Sequence, residues 1–438
     1  MDWHEKYKDK IVSAQEAVSH IQSGDKVFFA DWIGEPPTVV EALVQRGEEL
    51  ENVTIIHGMS PGPQKYLEDK YAGHFNHISF FFGRVVANAY KKNDGRVEYM
   101  GGTTYHKWPD MFAKSEKLNP HWALVSVTPP DENGICSFGN TCCFTEPEVR
   151  TAEKVIVQVN KNLPYVGGKM FDLNQADYIV EADDPLYPIG RAQADETLQK
   201  IADYCASLVE DGATVQVGIG ALPDAILANL KDKKDLGVHT ETMTEAVMEL
   251  AQAGVITGKC KTINKGKIIT SQVAGSQKLY DWCDHNPMVE VHPVDYTNDP
   301  YICGQNYKQT SINTGMEIDL LGQINSEVVD GHQYSGVGGQ LDHVRGAQLS
   351  EGGKSIIAIK STAKGGTISK IVPYLEPGAV VTVGRYDVQY VVTEYGIADL
   401  KYKTVRERAE ALIAIAHPKF RDELRSKAIE MGYIPKNR

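Results

Sequence analysis

The chain has 438 residues, and at ~150 residues per domain this length predicts two to three domains. With 42% hydrophobic and 24% charged residues it can bury a large core, which excludes disorder as its main state. The 45 Lys and Arg against 58 Asp and Glu leave a net charge of −13, which argues against nucleic acid or an anionic membrane as partner but not against a small polyanion in a local basic pocket.

The stretch from Trp3 to Lys8 is charged and amphipathic and lacks the apolar core of a signal peptide. No run reaches the ~18 apolar residues of a membrane span, so a cytoplasmic location is expected. Residues 11–21 have the period of an amphipathic helix, closed by Gly24. A short buried strand follows at 27–30, then a helix over 38–50 entered through Pro36-Pro37, then a strand at 53–58. Val/Ile-rich runs predict further strands at 123–127, 155–159, 215–217, 267–270, 356–359 and 380–383. Such runs alternating with helical segments are the mark of parallel sheets, and the fold class read from them is α/β. The Pro- and Gly-rich 185–190 reads as a linker before a long helix over 194–208. Glu351-Gly352-Gly353-Lys354 reads as a hairpin turn, Pro129-Pro130-Asp131 with Gly134 as a turn before a strand, and His417-Pro418 as a helix end.

Residues 11–58 and 200–240 share an order: helix, Gly turn, strand, loop, Pro-started helix, and a strand ending in His, at His57 or His239. From Gly24 to Pro36 is 12 residues, and from Gly212 to Pro223 it is 11. Two α/β units resemble each other in any case, but the shared His and Pro favour duplication. The expected architecture is two similar open α/β/α domains, 1–190 and 191–438.

Seven cysteines without C-x-x-C spacing predict packed, reduced thiols, the adjacent Cys142-Cys143 included, and no residue cluster has metal-ligand spacing. Four segments invite chemistry. Gly218-Ile219-Gly220-Ala221-Leu222-Pro223-Asp224 follows a strand and opens a helix, where glycines bare backbone amides and the helix start attracts an anion. A nicotinamide fingerprint with Glu241 as ribose acid is one reading, but Pro223 stands where the third glycine belongs, and proline is favoured at the first helical position. Glu241 itself, at the carboxyl end of a strand over 236–238, serves as general base or nucleophile. Alternatively it belongs to a helix start, with Thr240 as N-cap and Glu245 in the first turn. The cluster Ser335-Gly336-Val337-Gly338-Gly339-Gln340-Leu341-Asp342 suits an oxyanion hole or a tight hairpin, and Ser361-Thr362-Ala363-Lys364-Gly365-Gly366 is a phosphate-neutralising loop or an exposed turn.

Together these segments resemble the acetyl-CoA hydrolase/transferase family over nearly the whole chain. The likeness is carried by Gly34-Glu35-Pro36-Pro37, Pro129-Pro130-Asp131, Gly218-Ile219-Gly220-Ala221 with Pro223-Asp224-Ala225, and Leu236-Gly237-Val238-His239-Thr240-Glu241. It continues through Pro293-Val294-Asp295-Tyr296 with Asn298, the 335–342 cluster, Tyr390-Val391-Val392-Thr393-Glu394-Tyr395-Gly396 and Ala416-His417-Pro418-Lys419-Phe420. Thr242 and Glu245-Ala246 depart from the Met and Asp-Gly usual in the family. The resemblance implies a CoA-transferase that exchanges CoA between a short-chain acyl-CoA, butyryl or 4-hydroxybutyryl, and a carboxylic acid such as acetate. It implies Glu241 as nucleophile, with Ile219 and Gly338 N–H groups as oxyanion donors. Gly218, Ile219, Gly220, Ala221, Leu222, Asn298, Gly336, Gly338, Gly339 and Lys364 are the implied CoA contacts. Coenzyme A enters as substrate, with no metal and no nicotinamide, no nucleic-acid or membrane partner, and a homo-oligomeric state. An acyl-CoA hydrolase, a nicotinamide dehydrogenase and a non-catalytic acyl-CoA-binding regulator are the alternatives.

Overall fold

The structure, a computed structural model, describes residues 2–60 and 62–436. The chain forms two units: one runs to Gly190 and includes Ile269–Thr297, and the other comprises Arg191–Ile268 and the chain from Asn298 onward.

In the first unit four expected strands and three others make seven parallel strands: β1 (Lys26–Phe29), β2 (Val53–His57), β3 (Phe75–Ser79), β4 (Val97–Tyr99), β5 (Trp122–Val127), β6 (Lys154–Val159) and β7 (Tyr178–Glu181), with β3, β4 and β7 the additions. Their order across the sheet is β7-β6-β5-β1-β2-β3-β4. Every residue of β5 is buried, as a parallel strand covered on both faces requires. Helices α1 (Ala14–Ser19) and α2 (Pro37–Gln45) pack on this sheet through Ala17, Val18, Val39 and Leu43. Pro37 sits in the first turn of α2, where an N–H is not needed.

The second unit contains α3 (Glu196–Leu208), β8 (Thr214–Val217), α4 (Ala221–Ala228), β9 (Gly237–Met243), α5 (Glu245–Gln252), α6 (Pro300–Gly304), β10 (Gln309–Thr314), α7 (Gln340–Leu349), β11 (Lys354–Ala358), β12 (Tyr390–Thr393), β13 (Gly396–Asp399), α8 (Val405–Ile415) and α9 (Pro418–Glu430). Within this unit its strands run β13-β12-β11-β10-β8-β9, parallel except for the antiparallel pair β12-β13. The shared order of the two sequence stretches is visible as structure, α1, Gly24, β1, α2, β2 in one unit and α3, Gly212, β8, α4, β9 in the other, but only the first copy has the expected Pro-started helix and His-ended strand: α4 begins two residues before Pro223, and β9 runs on past His239 to Met243. In each, the two strands are parallel neighbours, Lys26 opposite Thr54 and Thr214 opposite Gly237.

Several expected elements differ. The run 380–383 is not a strand: Val380 and Val381 are exposed after Pro377-Gly378, only Val383 bridges to Ile324, and the sheet takes Tyr390–Thr393 instead. The turn at 351–353 joins α7 to the parallel strand β11, so it is a helix-to-strand turn and not a hairpin. The glycine cluster 336–339 is likewise no hairpin, because Gly339 caps α7. His417 both follows α8 and caps α9, with Pro418 in the first turn. The first helix is shorter than its pattern, Ala14–Ser19, and the helix over 38–50 stops at Gln45 and continues as a single tight turn, Gly47–Glu49. Among the described residues no helix is long and apolar enough to cross a membrane. All seven cysteines are free, and only Cys260 is exposed.

Candidate active site

The site grows from the carboxyl ends of two adjacent parallel strands of the second unit, β8 and β9. After Val217 the chain leaves the sheet as Gly218-Ile219-Gly220. Gly220 has φ +117°, a conformation that L side chains avoid, and caps α4. Pro223 is the third residue of α4 and not the first. Its missing N–H falls within the first turn, where N–H groups have no intrahelical partner, and the ladder starts with Asp224 N–H donating to Gly220 O at 3.0 Å. Ile219 is 45% exposed, whereas Leu222 is buried.

Strand β9 is longer than its sequence pattern and carries Glu241 as part of the sheet. The helix-start reading is therefore corrected: Thr244 occupies the N-cap position of α5 and Glu245 its first position, while Thr240 is a strand residue whose hydroxyl donates to Val217 O and Thr242 O, both at 3.2 Å. A fully buried lysine braces the strand, Lys261 Nζ donating to Val238 O and Lys267 O at 2.9 Å each. Its stem occupies the space a Cβ at Gly237 would need.

Glu241 is half-buried, and two donors meet its carboxylate. Asn298 Nδ2, fully buried, donates to Oε2 at 2.6 Å, and the backbone N–H of Gly339 donates from the start of α7. Only glycine fits at 339, since a Cβ there would strike Glu241 Oε2 and Asn298 Nδ2. Gly338, at φ +57°, makes the turn that aims this N–H. Burial raises the Glu241 pKa to about 7. The Asn298 bond opposes that rise, the Asp342 carboxylate adds to it, and the Gly339 N–H opposes it. Asp342 and His343, both about 1% exposed, stand in the first turns of α7. Burial pushes His343 down to about 3, so its ring is neutral. His343 Nδ1 lies 3.7 Å from the thiol of Cys303, which burial holds well above the ordinary thiol range.

Of the residues singled out in the sequence, Glu241, Asn298 and Gly339 come together directly, and Gly336 and Gly338 belong to the loop that delivers Gly339. Gly218 to Leu222 form the neighbouring strand-to-helix turn. Lys364 stands on a small hairpin, Thr362–Ala363 with Ile368–Ser369. It is exposed at φ +48° and lies 3.7 Å from Asp330. His343 and Cys303 went unnoticed in the sequence. The only available signal was that His343 lies one helical turn beyond Gly339, and nothing linked it to a cysteine 40 positions earlier. Among the described residues no group of three or more His, Cys, Asp and Glu gathers as a metal site.

Residues 1–189 match the acetyl-CoA hydrolase/transferase N-terminal domain and residues 275–428 the corresponding C-terminal domain. The chain belongs to the acetyl-CoA hydrolase/transferase family. It is an enzyme, a CoA-transferase. It is 46% identical to the 4-hydroxybutyrate coenzyme A transferase of Clostridium kluyveri, over 97% of this chain and 98% of that one. With the butyryl-CoA:acetate CoA-transferase of Anaerostipes caccae it shares 36% identity over 97% of both chains. Among solved structures, 4-hydroxybutyrate CoA-transferase from Porphyromonas gingivalis superposes with a TM-score of 0.84 at 37% identity, covering 98% of this chain and all of that one. RipA from Yersinia pestis superposes with a TM-score of 0.92 at 34% identity, covering 99% of this chain and all of the other.

Proposed function

We propose that this CoA-transferase exchanges CoA between a short-chain acyl-CoA of butyryl or 4-hydroxybutyryl size and a small carboxylate such as acetate, with Glu241 as covalent nucleophile. The observation that carries this reading is a half-exposed carboxylate held by Asn298 at Oε2 and by the Gly339 N–H, with a pKa raised to about 7. A basic carboxylate is a better nucleophile than an ordinary one, and near neutrality a large fraction of it is still ionised. The relatives' activities toward 4-hydroxybutyrate and butyrate supply the acyl class.

In the reaction the Glu241 carboxylate adds to the acyl-CoA carbonyl and the C–S bond breaks, leaving an acyl-glutamyl anhydride and CoA thiolate. The thiolate adds to the glutamyl carbonyl and expels the first carboxylate, leaving a glutamyl-CoA thioester. A second carboxylate reverses both steps, so the kinetics are ping-pong. Each addition makes an oxyanion, for which the N–H groups of Ile219 and of the Gly338 turn are the donors in this reading. Gly218 to Leu222, Gly336, Gly338, Gly339, Asn298 and Lys364 form the surface offered to CoA, with Lys364 as the cation for a phosphate.

Incubation with butyryl-CoA followed by borohydride is the test. Reduction of the glutamyl thioester should inactivate the enzyme and alter the mass of the peptide carrying Glu241, and Glu241→Ala should lose ~10³-fold or more in turnover. An Ala variant with full activity excludes the nucleophile. CoA release that does not depend on added acetate assigns hydrolysis instead of transfer.

A further inference from the structure

Glu241 has one open side and one closed side. On the closed side stand Asn298, Asp342 and His343, each 1% exposed or less. The His343 ring fills the space in front of Gly339, with its Cδ2 3.2 Å from where a Cβ on that residue would lie, beside Glu241 Oε2 and Asn298 Nδ2. It is braced from behind by Cys303, whose thiol is within reach of an S–H···N bond to Nδ1 at 3.7 Å. The brace is rigid, because Cys303 also packs on Gly346, one turn along α7, so closely that a Cβ there would lie 2.5 Å from Cys303 Cβ. His343 Nε2 meets no hydrogen-bonding group among the described residues, so the ring acts as a filler and not as a link in a polar chain.

We propose that His343, braced by Cys303, is a positioning residue that walls the closed side of Glu241 against water and thereby commits the covalent adduct to transfer instead of hydrolysis. The inference rests on Glu241 being the nucleophile. A glutamyl-CoA thioester is open to two attackers. If a carboxylate adds, CoA passes on. If water adds, its oxygen bonds to the glutamyl carbonyl carbon, the C–S bond breaks, CoA leaves as the thiol with one of the water protons, and the Glu241 carboxyl is restored with no transfer. Truncating His343 to Ala opens a void beside the Asn298 amide, the Cys303 thiol and the Gly339 backbone. Such a void is larger than the ~10–15 Å³ one water needs, and polar enough to hold it. It therefore fills with water next to the reacting carboxyl.

The test compares the purified parent chain with His343→Ala and His343→Phe, using butyryl-CoA with and without acetate and measuring free CoA against acetyl-CoA formed. His343→Ala is expected to raise the ratio of hydrolysis to transfer about tenfold, while His343→Phe, which refills the space with a ring, keeps the ratio near the parent's. A merely structural role lowers both products together and leaves the ratio unmoved, and that result overturns the proposal, as does an equal rise in both variants. Should His343→Ala fail to fold, His343→Val and Cys303→Ala make the same comparison, the latter by unbracing the ring, and an unmoved ratio in both likewise overturns it. Borohydride trapping of the parent separates the two readings. No trapping at Glu241 removes the nucleophile itself, whereas trapping in parent and Ala variant alike with an unchanged ratio removes only the wall.

Discussion

Asn298 is the side chain that most directly sets the state of Glu241. Its buried amide donates at 2.6 Å to a carboxylate that burial is already pushing toward its neutral form, and a donor to the ionised form opposes that push. Replacing it by Ala removes the larger contribution opposing that push, while the Gly339 N–H remains. The Glu241 pKa must then rise further above about 7. The expected outcome for Asn298→Ala is an acid limb of kcat/KM moved to higher pH by about one unit, together with a ~10²-fold loss of kcat from the freed carboxylate. A pH profile read for parent and variant checks both. An unmoved limb with reduced kcat shows that Asn298 orients the carboxylate without tuning it.

The geometry around that carboxyl is made by two short helices in close contact. Helix α6 lies against α7 because glycines stand at the crossing: a Cβ at Gly346 meets Cys303, and one at Gly304 meets Leu349 Cβ at 2.7 Å. Gly346→Ala pushes the helices apart at a cost of ~1–3 kcal/mol, typical of overpacking. It also shifts Cys303 and, just before α6, Asn298. It should therefore lower both Tm and kcat, whereas Leu349→Ala, 64% exposed on the same helix, should alter neither. A Gly346→Ala variant with reduced Tm and unchanged kcat separates the packing of these helices from the site.

At this scale the sequence was legible where one residue type has one use. Val/Ile runs gave β1, β2, β5, β6 and β8, and glycines after β8 marked the turn into α4. The run 380–383 misled because Val380 and Val381 lie on the surface and only the buried Val383 bridges to a neighbour, and apolar composition does not say what a strand pairs with. Glu241 was legible as a carboxylate near a strand end, but β9 extends five residues beyond the expected 236–238, through Met243. Its polar tail, His239 to Thr242, hides a strand held by the buried Lys261 and by hydroxyl-to-carbonyl bonds. The contact of His343 with Cys303 spans α6, β10 and α7 and has no local signature.

The formal charge of −13 counts every carboxyl as ionised, yet burial holds three of them partly or wholly neutral. Glu35 is raised to about 7, Glu241 to about 7, and Glu148 well above the usual range, in its case helped by the Asp31 carboxylate. Three buried imidazoles move the other way: His57, His77 and His343 are each pushed down to about 3. The two sets tilt stability in opposite directions. Below about 6.5 the unfolded chain protonates its histidines while the folded chain does not, so stability is lost as pH falls from there toward about 3. Above about 4.5 the unfolded chain gives up carboxyl protons that the folded chain keeps, so stability is lost as pH rises, for Glu35 and Glu241 until about 7 and for Glu148 beyond it. Above about 7, then, Glu148 alone among these six groups continues the decline. It is fully buried and, among the described residues, neither carboxyl oxygen has a hydrogen-bond partner, so an amide of the same shape keeps the packing and removes the proton linkage. Glu148→Gln should lose less Tm than the parent between pH 7 and pH 9, whereas the Tm-versus-pH curve of Glu35→Gln should differ in slope from the parent's only between about pH 4.5 and about pH 7 and run parallel to it above. Parallel Tm-versus-pH curves for the parent and Glu148→Gln in the upper range refute a neutral Glu148 in the folded chain.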